Sequence, residues 1–421
     1  MIDYPKILDK IFDKLDSNNA SAIIIGGYIR DFLLTIPSKD IDIEVYGISS
    51  YNQLEDILQE FGDVCTVGKS FGVCKLLLDD LDLDFTLPRI DNHIASGHKG
   101  FKVCLDPNLD FVRATSRRDF TINAIGYDVK KKKILDPFGG REDLKNKILR
   151  AVDPKSFIED PLRVMRALQF AARFELHLHH ALFSLCQDMI QKRMLHELPK
   201  ERIFEELKKL LLQSKQPSLG FSLLRDLGAF LYFEEFSQLS EESYTQILSH
   251  LDRFAKIQDL SQEIRLLIFL ALLAKPHHPK AKAQEFLSKL TAQKDILEGV
   301  SKILEHQALL FKLQTLCDTE IYQLAAKIEI KLFVSFHKAS LPLDSKEYQL
   351  LTPLEQRAKE LDVYTKPLKA LVLGRDLISL GLAPSKEFKK ILEDVYAAQM
   401  RREFDSHKGA LFWLKEYLAK V

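Results

Sequence analysis

The sequence has few cysteines, and they follow no metal-binding or disulfide pattern. Its five cysteines in 421 residues are scattered and form no Cys-x-x-Cys pair. An odd, scattered set argues against a disulfide framework and a zinc site, and it fits a reducing compartment. No apolar run approaches the roughly 18 residues that a membrane span needs, and the N-terminal segment is charged throughout, without a leader-like apolar stretch. The sequence therefore predicts a cytoplasmic protein without a membrane segment.

An excess of either charge is also missing. Lys plus Arg and Asp plus Glu each number 60, so the formal net charge at pH 7 is zero. Bulk charge therefore gives no argument for a nucleic-acid partner, which would need a local basic surface balanced by acidic surface elsewhere. Hydrophobic residues at 46% and charged residues at 29% are ordinary for a globular chain. The length is expected to hold roughly two to four domains.

Strand-like patterns dominate the first third of the chain, and helical patterns dominate the rest. Short apolar or alternating runs predict strands at Ala22–Ile25, Ile41–Tyr46, Val73–Leu78 and Leu81–Leu87, and another ending near Leu135. Helices are predicted at Tyr28–Leu34 and Tyr51–Phe61, and Thr121–Asp128 fits either a strand or the start of a helix. Beyond Ser156 helical periodicity continues almost to the end. These patterns predict a mixed α/β head followed by helices.

A glycine pair joins the first apolar run to a predicted helix. Gly26 and Gly27 lack Cβ atoms, so backbone N–H groups there could close on a phosphate. The N-terminus of the helix adds partial positive charge, and Arg30 lies in its first turn. Taken alone, the pair is better explained as a plain tight turn.

Alternating carboxylates follow the glycine pair. Because alternate side chains of a strand share a face, Asp40, Asp42 and Glu44 point one way. Asp40 and Asp42 would lie ~7 Å apart along the strand and could hold two Mg²⁺ ions. Two such ions, ~3.5–4 Å apart, can activate an attacking hydroxyl and stabilise a leaving oxygen. Of Asp82 and Asp84 on the next predicted strand, Asp84 is our candidate for a third catalytic carboxylate. The alternative is an acidic, solvated edge strand, and the glycine pair upstream favours catalysis.

These motifs resemble the class II tRNA nucleotidyltransferase (CCA-adding enzyme) and bacterial poly(A) polymerase family. The resemblance rests on five motifs in the family's order, at Gly26–Asp31 with Asp40–Asp42, Arg117–Ala124, Asp136–Arg150, Glu159–Arg166 and Glu201–Leu207. It implies an α/β polymerase-beta-like nucleotidyltransferase head followed by an all-α neck, body and tail. The expected boundaries are 1–150 for the head, 151–240 for the neck, 241–365 for the body and 366–421 for an RNA-binding tail.

The resemblance also implies roles for individual residues. Asp40 and Asp42 would be catalytic and would bind Mg²⁺, and Asp84 joins them as the third catalytic carboxylate that we chose from the neighbouring strand. The residues implied to bind the nucleotide are Gly26, Gly27, Arg30, Arg117, Arg118, Asn123, Asp160, Arg163 and Arg166. Within this set Asp160 and Arg163 would read the incoming base, and Arg166 would face the triphosphate.

The spacing of three in Asp160, Arg163 and Arg166 predicts a stripe on one helix. An Asp accepts and an Arg donates hydrogen bonds, so together they can mimic a pairing edge for cytosine or adenine. If the spacing is taken alone, the alternative explanation is a solvent-facing helix held by salt bridges. The family commonly carries a further arginine where this chain has Gln169. Either Arg173, one turn further on, supplies the charge, or the phosphate contact is weaker.

The resemblance implies addition of CMP and AMP to the 3′ end of tRNA, from CTP and ATP, with release of pyrophosphate. The Ile23–Gly27 form of the first motif resembles that of the tRNA enzymes, and Arg89–Val103 falls where the family holds a loop linked to the switch from C to A. The alternatives are a poly(A) polymerase, a CC-adding or A-adding enzyme of a split pair, and a non-catalytic RNA-binding protein. The intact motif residues speak against the last.

Overall fold

The computed structural model describes residues 2–67, 72–78, 81–93, 101–277, 280–313 and 316–419. The chain divides into two compact units, Met1–Ser237 and Gln238–Val421. The finer division into head, neck, body and tail stays a prediction. Within the described ranges, no helix combines the length and the apolar character needed to span a membrane.

The first unit is built on a mixed sheet. Its strands are β1 (Ser21–Ile25), β2 (Asp40–Tyr46), β3 (Val64–Val67), β4 (Val73–Leu78), β5 (Leu81–Thr86), β8 (Gly126–Asp128) and β9 (Lys133–Leu135). In the described residues these seven pair in the order β3-β4-β5-β2-β1-β8-β9. A ribbon pairs β6 (Arg89–His93) with β7 (Phe101–Leu105), and β10 (Ile148–Leu149) runs parallel to β11 (His177–Leu178).

Strand β2 lies in the middle of this sheet. It runs antiparallel to β1 and parallel to β5, so Asp42 is in register with both Ile25 and Asp84. Its alternating pattern sorts the side chains, because successive residues of a strand face opposite sides. Ile41 and Ile43 are buried in the core, whereas the aspartates face the other side. The alternation predicted from the sequence is confirmed.

Helices pack around the sheet and continue beyond it. Those of the first unit are α1 (Ile7–Ser17), α2 (Gly27–Leu33), α3 (Tyr51–Leu58), α4 (Phe111–Thr115), α5 (Gly140–Lys145), α6 (Pro154–Ile158), α7 (Leu162–Phe174), α8 (His180–Gln191), α9 (Lys200–Gln213), α10 (Pro217–Asp226) and α11 (Glu234–Ser237). The buried face of α7 packs against α9 and α10. Met165, Leu168 and Ala172 of α7 are buried, and this packing fixes the helix that carries Arg163 and Arg166.

Three local predictions need correction. Asp160 is not part of the helix, because Pro161 follows it and the residue before a proline is disfavoured in the helical region; α7 begins at Leu162. Thr121–Asp128 is neither one strand nor one helix, but a 3₁₀ turn at Thr121–Asn123 followed by β8. Helix α3 ends at Leu58, ahead of the predicted Phe61.

The predicted loop Arg89–Val103 is also different from expectation where it is described. Both flanks form the paired strands β6 and β7, because antiparallel pairing satisfies backbone groups that a loop would leave to solvent. Residues 94–100, with the glycines of the predicted loop, lie outside the described residues.

The second unit is helical throughout its described part, as predicted. Its helices are α12 (Glu241–Ala255), α13 (Gln262–Ala274), α14 (Lys280–Leu290), α15 (Lys294–His306), α16 (Asp318–Lys327), α17 (Ile330–Ser340), α18 (Lys346–Gln349), α19 (Leu351–Glu360), α20 (Gly374–Ser379), α21 (Glu387–Met400) and α22 (His407–Leu418). Apolar residues surround α13, which is buried along most of its length. Near the C-terminus Leu377, Val395 and Leu414 form the centre of a smaller apolar cluster.

Candidate active site

A cleft of about 660 Å³ lies in the first unit. One wall is formed by the start of α2 and by strands β2, β4 and β5, and the other by α7 and α9. The predicted site residues that line it are Gly27, Arg30, Asp40, Asp42, Asp84 and Arg166. The structure thus brings the predicted carboxylates together with cationic side chains that lie far away in the sequence.

The carboxylates occupy matching positions on two parallel strands. Asp40 is in register with Asp82, and Asp42 with Asp84. Burial raises the pKa of the Asp42 carboxyl above its ordinary value; the guanidinium of Arg118 lowers it in part, and the charges of Asp84 and Asp40 raise it further. The elevated pKa means that the charged form of Asp42 is disfavoured in the folded protein, chiefly by burial and in part by the neighbouring carboxylates.

This donor set suits a magnesium ion that is shared with a substrate. Among the described residues, no three His, Cys, Asp or Glu side chains are placed to hold a metal ion by themselves. Mg²⁺ is typically bound by one or two carboxylates, with substrate phosphates and water completing its shell. Asp40 and Asp42 supply hard oxygen donors of this kind, so the residues fit the ion that the resemblance implies.

Lys75 is a cleft residue that the sequence analysis missed. Strand β4 places it in register with Asp84, and its Nζ lies 3.0 Å from Asp84 Oδ1 and 3.3 Å from Asp82 Oδ1. The Asp84 hydrogen bond is the main reason that the pKa of Lys75 is raised. The alternation of β4 was visible in the sequence, but the register that sets Lys75 beside two aspartates was not. Asp84, predicted as a third catalytic carboxylate, is therefore held by an internal cation.

The glycine pair has a local structural role at the turn before α2, and its predicted contact with phosphate stays a prediction. Gly26 has φ = 77°, a region that favours glycine, and its N–H donates to the carbonyl of Ile125 over 3.0 Å. A Cβ atom at Gly26 would lie 2.8 Å from Nη1 of Arg118 and 3.4 Å from Oδ2 of Asp42. The missing side chain thus admits Arg118 to the carboxylates, while Gly27 is the glycine that lines the cleft.

Arg30 lines the cleft from a buried position. It is 5% exposed; its Nε donates to Asp31 Oδ1 over 2.8 Å, and its Nη1 donates to Asn123 Oδ1 over 2.7 Å. The rings of Phe170 and Phe174 lie 5.2 and 4.5 Å from its Cζ. These contacts hold the guanidinium in one place, so it adds a fixed positive charge to the cleft wall.

Arg166 is tied to the loop before the 3₁₀ turn. Its Nε donates to Asp119 Oδ2 over 2.7 Å, and its Nη1 lies 3.8 Å from Glu206 Oε1 on α9. Burial alone would raise the pKa of Asp119, but the charge of Arg166 and the hydrogen bonds from Asn123 and Arg166 outweigh it and hold that pKa below its ordinary value. Sequence reasoning missed Asp119, which joins two motifs through a contact to a residue 47 positions further along the chain.

The predicted base-reading pair does not line the cleft. Arg163 donates from Nη1 to the carbonyl of Ser156 over 2.8 Å and from Nη2 to the carbonyl of Arg117 over 2.6 Å. Asp160 accepts from the backbone N–H of Leu162 and lies 3.4 Å from Nη2 of Arg202. In the described state both side chains brace the start of α7, and their role in base reading stays a prediction.

The α7 and α9 wall contains further polar residues outside the predicted nucleotide-binding set. Gln169, Arg173 and Lys209 all line the cleft. Nη2 of Arg173 lies 4.0 Å from Asp31 Oδ2, and Lys209 Nζ lies 2.8 Å from Glu206 Oε1. Arg173, suggested as a replacement for the arginine that is absent at 169, does bring a charge to this wall.

Comparison with known proteins identifies the architecture. Residues 22–150 match the model described as the poly A polymerase head domain, and residues 175–239 match the probable RNA and SrmB-binding site of polymerase A. The multifunctional CCA protein of Neisseria gonorrhoeae is 36% identical over 206 residues, which are 49% of this chain and 48% of that protein. The chain therefore aligns with about half the length of the curated relatives it matches.

Two solved structures share the fold over almost the whole chain. The CCA-adding enzyme of Bacillus stearothermophilus, in complex with CTP, aligns with a TM-score of 0.73 at 23% identity, covering 98% of this chain and 96% of that one. The CCA-adding enzyme of Thermotoga maritima, complexed with tRNA, aligns with a TM-score of 0.66 at 20% identity, covering 99% and 97%. At these identities the likeness establishes the fold.

The mixed sheet, with its carboxylates on β2 and β5 and its helical continuation, is thus the head of a nucleotidyltransferase fold followed by a mostly helical body. Residues 22–150 and 175–239 therefore resemble the head and RNA-binding regions of poly(A) polymerases, and about half of the chain is similar to multifunctional CCA proteins.

Proposed function

We propose that the protein is a template-independent nucleotidyltransferase that adds CMP and AMP to the 3′ end of tRNA. Its substrates would be CTP and ATP, and pyrophosphate would be released. The observation that carries this proposal is the single cleft that joins Asp40 and Asp42 to the cationic wall of α7 and α9. A nucleoside triphosphate substrate needs both the carboxylates and the cations, since cations bind its phosphates and transfer of its nucleotidyl group requires a site for metal.

Mg²⁺ is the cofactor that these carboxylates suit. Asp40 and Asp42 would hold it, and when bound it supplies charge neutralisation and activation of a hydroxyl nucleophile. Arg30 and Arg166, each fixed by buried acceptors, would orient the triphosphate without the entropy cost of ordering a free side chain. Asp84 would add negative charge beside Asp42 and would be balanced by Lys75.

The nucleotide-binding set stays as proposed from the motifs, with two kinds of contribution. Gly27, Arg30 and Arg166 would act at the cleft directly. The other members would act next to the cleft, by placing the base, by leaving room for Arg118 and by holding the loop and helix in position. They are Gly26, Arg117, Arg118, Asn123, Asp160 and Arg163. A change of rotamer would free the Asp160 and Arg163 side chains for a base, at the loss of the hydrogen bonds described above.

The partner and the location follow from the same proposal. The acceptor would be a tRNA lacking all or part of its CCA end, which the helical second unit would hold through shape and backbone contacts. The named activity of the relatives and the complex of the Thermotoga enzyme with tRNA support this choice. Scattered cysteines and the lack of a membrane-spanning helix in the described ranges fit a cytoplasmic enzyme.

A four-acceptor assay tests the proposal. tRNAs ending before the first C, after CC, or with a complete CCA end are offered beside oligo(A), each with CTP or ATP and Mg²⁺. Addition of CCA to the first and of A to the second is expected, with no extension of the mature tRNA. Extension of oligo(A) would indicate a poly(A) polymerase instead, and activity on only one of the incomplete tRNAs would indicate one member of a split pair.

Variants connect that activity to the cleft. Asp42→Ala is expected to abolish incorporation, because it removes one of the two carboxylates that would hold Mg²⁺. The fold should stay intact, because burial disfavours the charged side chain in the folded protein. Asp56→Ala, an exposed aspartate on α3, serves as the matched control and should leave incorporation unchanged. Full activity of the Asp42 variant would rule out the metal assignment, and no incorporation by the unmodified protein on any acceptor would favour a non-catalytic RNA-binding protein.

A further inference from the structure

Gln169 presents a buried hydrogen-bond donor that the fold does not satisfy. The residue lies on α7, is 2% exposed, and lines the cleft together with Arg30 and Asp42. Its Nε2 is buried and has no hydrogen-bond partner among the described residues. Buried polar groups are almost always paired, because an unpaired one lowers stability by its full desolvation cost. A donor kept in this state beside a cleft therefore points to a ligand.

The neighbours of Gln169 narrow the part of the ligand that it can meet. One turn before it, Arg166 is engaged by Asp119; one turn after it, Arg173 lies near Asp31. Lys209 faces the same wall from α9. A wall that combines Arg30, Arg166, Arg173 and Lys209 favours the most anionic part of a nucleotide. The amide lies between these cations, where phosphate oxygens would be placed.

We propose that Gln169 donates a hydrogen bond from Nε2 to a phosphate oxygen of the bound nucleoside triphosphate. This inference rests on the proposed function. The terminal torsion of a glutamine is broad, so rotation of the amide can turn the donor from its buried position towards the cleft. An amide supplies the hydrogen bond without adding a fifth positive charge to a wall that already holds Arg30, Arg166, Arg173 and Lys209. Gln169 would thus hold the triphosphate in a chain that lacks an arginine at this position.

The proposal makes affinity and stability change in opposite directions. Gln169→Leu keeps most of the side-chain volume and removes the unpaired donor, so the free energy of unfolding without nucleotide should be unchanged or higher. The same variant should bind ATP, CTP and inorganic tripolyphosphate about tenfold more weakly, as the loss of one hydrogen bond to a charged group implies. Gln169→Glu should bind all three more weakly still, because it places a negative charge beside the phosphates.

Isothermal titration with Mg²⁺ present, paired with urea unfolding, tests this on the full chain. Gln187→Leu, on α8 and outside the residues that line the cleft, is the matched control and should leave all three affinities unchanged. Equal affinities of Gln169→Leu and the unmodified protein would overturn the proposal. So would a loss confined to ATP or to CTP, since that would indicate a contact to the base. Failure of the unmodified protein to bind any of the three probes would instead count against the proposed function.

Discussion

Arg166 and Asp119 join two segments of the first unit through a hydrogen bond of 2.7 Å from Nε to Oδ2. The other carboxylate oxygen of Asp119 accepts from Nδ2 of Asn123 and from the backbone N–H of Phe120. Asn123 in turn accepts from Arg30. A chain of buried contacts therefore runs from α7 through the 3₁₀ turn to α2, and it fixes both walls of the cleft.

Asp119→Asn is expected to lower the free energy of unfolding at pH 7 by about 3 kcal/mol, because Arg166 loses its buried counter-charge. The folded-state pKa of Asp119 lies below its unfolded value, so its stabilisation is complete above the unfolded pKa and is lost as the pH falls through the folded one. Urea unfolding should therefore show the variant and the unmodified protein converging in strong acid. Asp188→Asn, whose partner Lys192 is on the surface, should cost less than about 1 kcal/mol; equal costs for the two variants would contradict the role of Asp119.

Asp160→Asn is expected to reduce the discrimination between CTP and ATP with little loss of stability. The asparagine keeps an oxygen for the N–H of Leu162 but loses the negative charge, and it can reverse donor and acceptor towards a base. Arg163→Ala should blur selectivity and also destabilise the protein, because two backbone carbonyls lose their donor. The ratio of kcat/KM for the two nucleotides is the measurement. Unchanged ratios in both variants would remove the base-reading role.

Lys75→Met is expected to tighten binding of Mn²⁺, used as a probe for Mg²⁺, by about fivefold in the absence of nucleotide. Nζ of Lys75 is an internal cation beside Asp84 and Asp82, and removing it raises the attraction of the cluster for a metal ion. Electron paramagnetic resonance of free Mn²⁺ gives the affinity. Lys14→Met, which breaks a surface pair with Glu60, is the control; weaker Mn²⁺ binding by Lys75→Met would show that the lysine supports the metal site.

The second unit is expected to lose stability in mild acid. Burial, with the charge of Lys275, lowers the pKa of His337 to about 3, and burial with Lys275 and Arg253 lowers that of His250 to about 4. The unfolded chain protonates these residues near pH 6.5, so stability is complete above that pH. As the pH is lowered further, the free energy of unfolding falls by up to about 1.4 kcal/mol per pH unit for each histidine, until the folded pKa is reached.

Urea unfolding between pH 7 and pH 4 measures this slope. His337→Leu should reduce the slope, since it removes one of the two buried histidines. The apolar surroundings formed by Phe333 and Phe336 accept the leucine. Gln349→Leu, which replaces an exposed, non-titrating side chain of α18, is the control and should leave the slope unchanged. An unaltered slope in the His337 variant would show that another group is responsible.

Much of the first unit could be predicted from local patterns. Alternation placed the carboxylates of β2 on one face, because a strand has a fixed side-chain period. The glycine pair marked the turn before α2, and helical periodicity predicted the all-α remainder. These features depend on neighbours in sequence, so a linear chain reveals them.

Other features depended on which strands and helices meet. Register set Asp42 beside Asp84, and it set Lys75 beside Asp84 and Asp82. Strand pairing of this kind leaves no mark in a single sequence. Packing of α7 against α9 joined Arg166 to Glu206, and burial left the Gln169 donor unpaired. The sequence by itself determined the residue types and their local periodicity. Only the tertiary structure decided which charges are neighbours, because electrostatic pairing and desolvation depend on distance in space.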